Sequence, residues 1–297
     1  MNREGFALIT VLWLVTALAA LSLAGTLAAR DAATAAGNRI AHTRALWRAE
    51  GCAQRVLARL HHPPEPDGAW ERIPRWLPLD DFPHRGCAVG LAPAGNALDV
   101  NAAEHEQLAR VLEGLGAPPA AADSVAAAIL DWRDPDDLPR PTGAEASWYR
   151  SRGLSLPRNG PIAAAGELAM IRGVSGLPLG DTSLGVEPGR VPINLAPLAV
   201  VGALPGIGPE LLARIRDRRR RGDYYRDLGE LAYGISRHGR DSLLARYADL
   251  VEVATIQPEA WLLMVSAEEG HPRVTARLEL RLVSAGGRIV VGRRVPQ

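Results

Sequence analysis

Residues 1–30 read MNREGFALIT VLWLVTALAA LSLAGTLAAR, and from Phe6 to Ala29 there are 24 residues without a charged side chain. As an α-helix rising 1.5 Å per residue, this run spans roughly 36 Å, enough to cross a hydrocarbon core of about 30 Å with some tilt. No other segment approaches it, so the sequence predicts one membrane helix at the N-terminus followed by a soluble body. Three kinds of N-terminal segment compete here. A cleavable secretory signal has an apolar region of only about 7–15 residues, which this run exceeds. A plain signal anchor would hold the N-terminus inside through Arg3 and the terminal amine.

The third pattern rests on Arg3-Glu4-Gly5-Phe6, where a short polar leader ends in Gly and the apolar helix begins at once with Phe. It resembles the type IV prepilin signal. The resemblance implies that a prepilin peptidase cuts between Gly5 and Phe6 on the cytoplasmic face and that the new Phe6 amine is methylated. Cutting there keeps the helix as a membrane anchor and later as a filament core. Typical pilins carry Glu at the fifth mature residue, and this chain has Thr10 there. A carboxylate buried in that apolar setting is costly unless a neighbour's terminal amine pairs with it. Thr10 removes that pairing and points to an atypical, non-repeating subunit.

The helical pattern continues past the membrane. Ala36, Ile40, Thr43, Trp47, Ala53, Leu57 and Leu60 predict one mostly apolar stripe, with Arg39, Arg44, Arg48, Arg55 and Arg59 mostly facing elsewhere. Pro63-Pro64 ends the element, giving a helix roughly 80 Å long. Short β-type segments are expected at Ala69–Leu77 and Gly86–Leu91. Val274 to Leu282 alternates apolar and polar residues, Ala285-Gly286-Gly287 turns the chain into Ile289-Val290-Val291, and Trp261–Ala267 is a partner strand.

An α-rich stretch from 98 to 250 with weak internal similarity lies between the sheet pieces. One helix begins near Asn101 and reaches Gly114-Leu115-Gly116. A second begins near Asn194 and ends at Leu204-Pro205-Gly206-Ile207-Gly208-Pro209. Gly166-Glu167-Leu168-Ala169 is echoed by Gly229-Glu230-Leu231-Ala232. Both copies read as helix-hairpin-helix units, the second the better formed. The expected fold class is α+β: a long N-terminal helix on a small antiparallel sheet, with a large α-helical insertion. The expected divisions are a leader (1–5), the membrane part (6–29), the periplasmic helix and first strands (30–97), the insertion (98–250) and the closing strands (251–297).

The chain has 297 residues, with 34 basic side chains, all Arg, against 33 acidic ones, 47% hydrophobic content and a formal net charge of +1. That composition excludes a disordered chain and disfavours a phosphate backbone as the main partner. The second hairpin, with Arg214, Arg216 and Arg218 to Arg221 nearby, is either a compact packing unit or a DNA-backbone contact at Gly206 and Gly208. Asp217, Asp223, Asp227 and Glu230 neutralise much of that patch. Asp131-Trp132-Arg133-Asp134-Pro135-Asp136-Asp137 is the densest acidic cluster. Asp131, Asp134, Asp136 and Asp137 suit calcium, which takes several oxygens from one loop, although the spacing is not that of an EF-hand. The alternative is a solvated loop capped by Arg133 and Arg140, and Glu145 fits either arrangement. Cys52 and Cys87 either form a disulfide, which an extracytoplasmic body permits, or remain buried thiols. The sequence shows no P-loop, G-x-S-x-G, H-E-x-x-H or dinucleotide motif, so an enzyme is not expected.

Taken together, the leader, the long helix and the insertion resemble the K-type minor pseudopilins of type II secretion systems. The residues from Ala128 through Asp131-Trp132-Arg133-Asp134 to Glu145 carry the likeness, as do Trp148-Tyr149, Pro157 to Ile162, and Glu167-Leu168 with Arg172-Gly173-Val174. The resemblance implies an inner-membrane protein with a periplasmic head. It also implies assembly with I- and J-type minor pseudopilins, and through them the other pseudopilins, to initiate and cap the pseudopilus for export across the outer membrane. Family members bind calcium. The rival expectation is a membrane-anchored helix-hairpin-helix DNA-binding protein of competence type.

Overall fold

The computed structural model describes residues 3–62, 70, 73, 77, 79, 86–177, 183–186, 189–271, 273–285 and 288–296. Helix α1 (Arg3–Leu60) is followed by β1 (Cys87–Pro93), β2 (Leu98–Asp99), α2 (His105–Gly114), α3 (Pro119–Arg133), α4 (Ala146–Arg150), β3 (Leu184–Gly185) and β4 (Val191–Pro192). Then come α5 (Leu198–Gly202), α6 (Pro209–Arg221), α7 (Arg237–Ala245), α8 (Tyr247–Val253), β5 (Ala254–Thr255), β6 (Ala260–Glu269), β7 (Val274–Ala285) and β8 (Arg288–Pro296). The expected strand Ala69–Leu77 and the turn at Gly286-Gly287 lie largely outside the described residues.

One antiparallel sheet has the order β1-β6-β7-β8. Its strands follow from period-two patterning: Ala276, Leu278, Leu280 and Leu282 of β7 are buried on one face, while Thr275 and Arg277 are exposed. That apolar face packs on α1 through Ala49, Cys52, Ala53, Val56 and Leu60, with Trp261, Leu263 and Val265 of β6. Fully burying each large aliphatic side chain stabilises by about 1.5–3 kcal/mol. The expected stripe on α1 is corrected here. Ile40 and Trp47 are 54% and 72% exposed, and the buried face runs through Ala45, Ala49, Cys52, Val56 and Leu60. Alanine and cysteine let the helix approach the sheet closely, whereas Trp47 would hold it away.

Cys52 and Cys87 are disulfide-bonded, with Cα atoms 6.7 Å apart and a sequence separation of 35. The bond ties α1 to the first strand and, in the chain-entropy model, contributes up to roughly 4 kcal/mol.

The inserted domain leaves the sheet after β1 and returns before β6, and Pro93 faces Trp261 in the ladder, so its entry and exit are adjacent. The Ala94 N–H donates to the Ala260 carbonyl at 2.8 Å, and Arg190 pairs with Glu259 at 2.7 Å beside this neck. Gly95 has φ 75°, and a Cβ there would lie 2.2 Å from the Arg190 carbonyl oxygen, so only glycine fits. Leu250 and Ala254 belong to the insertion's own core, so residues 251–259 are part of the insertion and not of the closing strands.

The internal similarity is a structural duplication. In each half a two-residue strand (β2, β4) runs parallel to the strand that follows the unit (β3, β5). Three residues after each strand begins comes an asparagine that clamps a distant segment by two bonds. Asn101 Nδ2 donates to the Ile162 carbonyl at 3.0 Å, and the Ile162 N–H donates to Asn101 Oδ1 at 2.8 Å. Asn194 makes the same pair with Tyr225, at 2.8 and 3.0 Å. Each hairpin then turns at a left-handed glycine, Gly116 (φ 95°) or Gly206 (φ 74°), with a proline three residues on that opens the next helix.

An arginine from that helix reaches back to the asparagine loop. Arg133 donates to the Val100 carbonyl and, at 2.7 Å, to that of Ala103; Arg219 donates to Ile193 at 3.0 Å and to Ala196 at 2.6 Å. The echoed Gly-Glu-Leu-Ala segments form 3-10 turns over Ala165–Met170 and Leu228–Ala232. The first hairpin was expected to be the poorer, yet its helices of 10 and 15 residues exceed those of 5 and 13 in the second. Alanine-rich α3 supplies packing rather than glycine signals.

Asn101→Ala and Asn194→Ala each remove two long-range bonds and leave buried backbone groups unpaired, so each is expected to lower unfolding stability by about 1–3 kcal/mol. Urea unfolding of the full chain in detergent measures this. The two losses should add, because the clamps lie in separate units. A wild-type midpoint for either variant would refute the clamp.

Candidate functional site

The C-terminal end of α3 brings Asp131 to full burial, and the loop after it returns so that Glu145, the residue preceding α4, is 1% exposed. Asp131, Asp134 and Glu145 each present a carboxylate oxygen, and these atoms lie within 4.8 Å of one another. Arg140 Nη1 reaches Asp131 Oδ1 at 2.6 Å and Asp134 Oδ2 at 2.5 Å. Both Glu145 oxygens and Asp134 Oδ1 are buried without a hydrogen-bond partner. Burial first, and then the charges of Asp131 and Asp134, push the Glu145 carboxyl up to about 7. Gly143 closes the cradle: a Cβ there would meet Asp131 Oδ2 at 2.0 Å.

The sequence-predicted ligand set divides. Asp131 and Asp134 converge, whereas Asp136 and Asp137 stay on the exposed part of the loop. Asp136 Oδ1 accepts from the Leu138 N–H at 2.8 Å, and Asp137 Oδ1 accepts from Asn159 Nδ2 at 3.0 Å. They serve the loop's own turn, and Glu145 takes the third place in the cluster. Of the two expected capping arginines, Arg140 caps the loop and Arg133 does not, being committed to Val100 and Ala103.

A second network rigidifies this region. Glu167 accepts from Arg158 Nε and Nη2 at 2.8 and 2.9 Å, from Trp132 Nε1 at 2.9 Å and from the Ala163 N–H at 3.2 Å. Sequence reading used Arg158 and Glu167 only as marks of resemblance; their separation by nine positions across a Pro-Gly-rich loop carried no pairing signal. Tyr149 is buried and packs edge-on against Trp132 at 5.2 Å, while its hydroxyl accepts the Arg172 N–H at 2.9 Å. Arg172 Nη1 donates to the Gly143 carbonyl at 2.8 Å, which joins the two networks.

The second hairpin faces a cleft of about 760 Å³ whose lining includes Glu104, Glu106, Asp249 and Glu252 beside Gly206 and Gly208. Its arginines are largely committed inside the chain. Arg219 is half-buried, and desolvation lowers its pKa to about 10. Arg218 lies 4.0 Å over the Tyr225 ring and bonds Asp223, and Arg220 pairs with Asp217 at 2.6 Å. At the other end of the chain, the Gly5–Phe6 junction lies within α1, and the helix is long and apolar enough to cross a membrane by length and composition.

A membrane-length N-terminal helix lying on an antiparallel sheet, with a duplicated helical insertion, defines the fold class of this chain. Residues 90–178 match the family model for type II secretion system (T2SS) protein K. The crystal structure of the GspK–GspI–GspJ complex from the enterotoxigenic Escherichia coli type 2 secretion system contains a chain of the same fold. The match has a TM-score of 0.52 and 17% identity and covers 71% of this chain and 79% of that one. No curated protein matches the chain in sequence. The residues that carry the resemblance read from the sequence, 128–174, lie inside the matched segment.

The bonds from Arg158, together with those from Trp132 and Ala163, outweigh burial and hold the Glu167 carboxyl at about 2, against an ordinary 4.5. A depressed carboxylate contributes stability that is full above about pH 4.5 and is lost as pH falls toward 2. Glu167→Gln is therefore expected to cost roughly 2 kcal/mol at pH 7. The gap from wild type should close between pH 4.5 and 2 in thermal unfolding. A gap independent of pH would exclude the charged network.

Proposed function

We propose that this chain is the K-type subunit at the tip of a type II secretion pseudopilus, where it joins I- and J-type minor pseudopilins to initiate and cap the filament. The observation that carries this reading is the duplicated domain inserted between β1 and β6 of a pilin-like head. It enlarges the head at one narrow neck and would obstruct a further subunit stacking beyond it. Thr10, standing where repeating pilins carry Glu, supports the same terminal position. The role is structural, with no reaction assigned to the chain.

The matching chain belongs to a complex with GspI and GspJ, which supports I- and J-type partners here. Prepilin peptidase would cut between Gly5 and Phe6 and leave a methylated Phe6 amine, with the leader cytoplasmic, α1 in the inner membrane and the head periplasmic. Purification of the full chain coexpressed with I- and J-type subunits should recover both. The mature chain should begin at Phe6 when the peptidase is present. Failure to recover either partner, or an intact Met1, would overturn the reading.

Calcium is the structural cation proposed for Asp131, Asp134 and Glu145. Three carboxylates against one guanidinium leave a charge of −2 when all are ionised. The buried, unpartnered oxygens of Glu145 and Asp134 are hard donors of the kind calcium takes. The fit rests on Glu145 in place of Asp136 and Asp137. Excess calcium is expected to raise the melting temperature by several degrees relative to chelator, about 2.7 kcal/mol at a hundredfold excess over Kd. Glu145→Gln should abolish most of that difference, and equal melting in calcium and chelator would refute the site.

The DNA-binding alternative is disfavoured by the hairpin's surroundings, because Glu104, Glu106, Asp249 and Glu252 would repel a phosphate at Gly206 and Gly208.

A further inference from the structure

Arg140 answers only part of the acidic centre. Its Nη1 lies 2.6 Å from Asp131 Oδ1 and 2.5 Å from Asp134 Oδ2, so one nitrogen bridges two carboxylates. Calcium binds its oxygens at about 2.3–2.6 Å, so Nη1 stands close to the point that ion would take between the same two oxygens. Glu145 is left out: both of its oxygens are buried without a partner, as is Asp134 Oδ1. A guanidinium donates along fixed directions in one plane, and this one is spent on Asp131 and Asp134. A spherical ion has no such restriction and gathers oxygens from all sides.

The side chain of Arg140 and its backbone are held differently. The residue lies between Pro139 and Pro141, whose rings fix their own φ and stiffen the segment. Its N–H donates to both Asp131 oxygens at 3.3 Å, and its carbonyl accepts the Gly143 N–H at 3.0 Å. Arg172 anchors the Gly143 carbonyl in turn. The Arg140 side chain is 36% exposed, whereas that of Asp131 beneath it is 0% exposed. The guanidinium thus stands at the mouth of the centre on a stiff stalk, and it can turn to solvent without unpacking the core. Arg133, the neighbouring cation, has no such freedom, because the Val100 and Ala103 carbonyls hold it.

Charge sets the consequence. Three ionised carboxylates and one guanidinium sum to −2, and without the guanidinium the centre carries −3. A second cation brought to the same oxygens meets Arg140 a few ångströms away, in a buried setting where charges are weakly screened. We propose that Arg140 is a tethered counter-ion that calcium displaces: the guanidinium neutralises Asp131 and Asp134 until the ion takes its place beside Glu145, and this competition sets the affinity of the centre. The inference rests on the calcium reading of this cluster and adds to it the residue that opposes the metal.

Two measurements on the full chain in detergent, with calcium chloride as the probe, test the displacement. Calorimetric titration of Arg140→Gln should give a Kd at least tenfold lower than wild type, since affinity rises with the negative charge of the ligand set. In chelator this variant should melt below wild type, and in saturating calcium the two should melt together. A Kd equal to or above that of wild type would make Arg140 a support of the site and overturn the proposal. The second measurement needs no variant, and so holds even if Arg140→Gln does not fold. Phenylglyoxal labelling of wild type, read by mass spectrometry, should modify Arg140 at least threefold faster in calcium than in chelator. Arg237, whose side chain is 93% exposed, should react equally in both. An Arg140 rate that calcium leaves unchanged or slows would overturn the displacement. If wild type binds calcium and either result goes against Arg140, the displacement falls and the calcium site stands. If neither wild type nor Arg140→Gln binds calcium, both fall.

Discussion

The packing of α1 on β6 and β7 is the contact on which the rest of the molecule depends. A four-stranded sheet with an apolar face cannot stand in water uncovered, and α1 is the element that covers it. The closeness of that contact comes from Ala45, Ala49, Cys52 and Ala53, whose small side chains let Trp261, Leu263, Leu278 and Leu280 reach the helix. The Cys52–Cys87 disulfide fixes the helix against the strand from which the insertion departs. A membrane anchor, a sheet and a neck are thereby set in one geometry.

The insertion solves a different problem: its two units must hold loops closed between helices of 5 to 15 residues. It does so twice by the same device. An asparagine closes a loop over a distant segment, and a half-buried arginine satisfies the carbonyls that the loop leaves open. Arg133 and Arg219 are thus structural cations bonded to backbone dipoles rather than to carboxylates, and burial lowers the pKa of both. The first copy differs from the second by the longer segment after its second helix, which brings Asp134 and Glu145 back to Asp131 at the end of α3. The acidic centre is an elaboration of one unit of the pair.

Much of this was legible in the chain. The 24-residue uncharged run, the alternation in β7 and the proline opening α6 are local patterns, and local patterns survive translation into structure. The echo of Gly-Glu-Leu-Ala marked the duplication but concealed its strength, because the clamping pairs are 61 and 31 residues apart and leave no periodic trace. For the acidic centre, proximity in sequence suggested four aspartates. Burial chose two of them, and a glutamate fourteen positions after Asp131 completed the set.

The sequence by itself determined the membrane helix, the α+β class and the order of the units, because charge-free length and hydrophobic period act along the chain. It also showed that the helix beyond the membrane is amphipathic. Tertiary structure decided which apolar face of α1 meets the head, since that choice depends on side-chain size at the contact and not on hydrophobicity alone. Ile40 and Trp47 make the stronger apolar stripe, yet the smaller residues nine positions further on pack closely enough to cover the sheet.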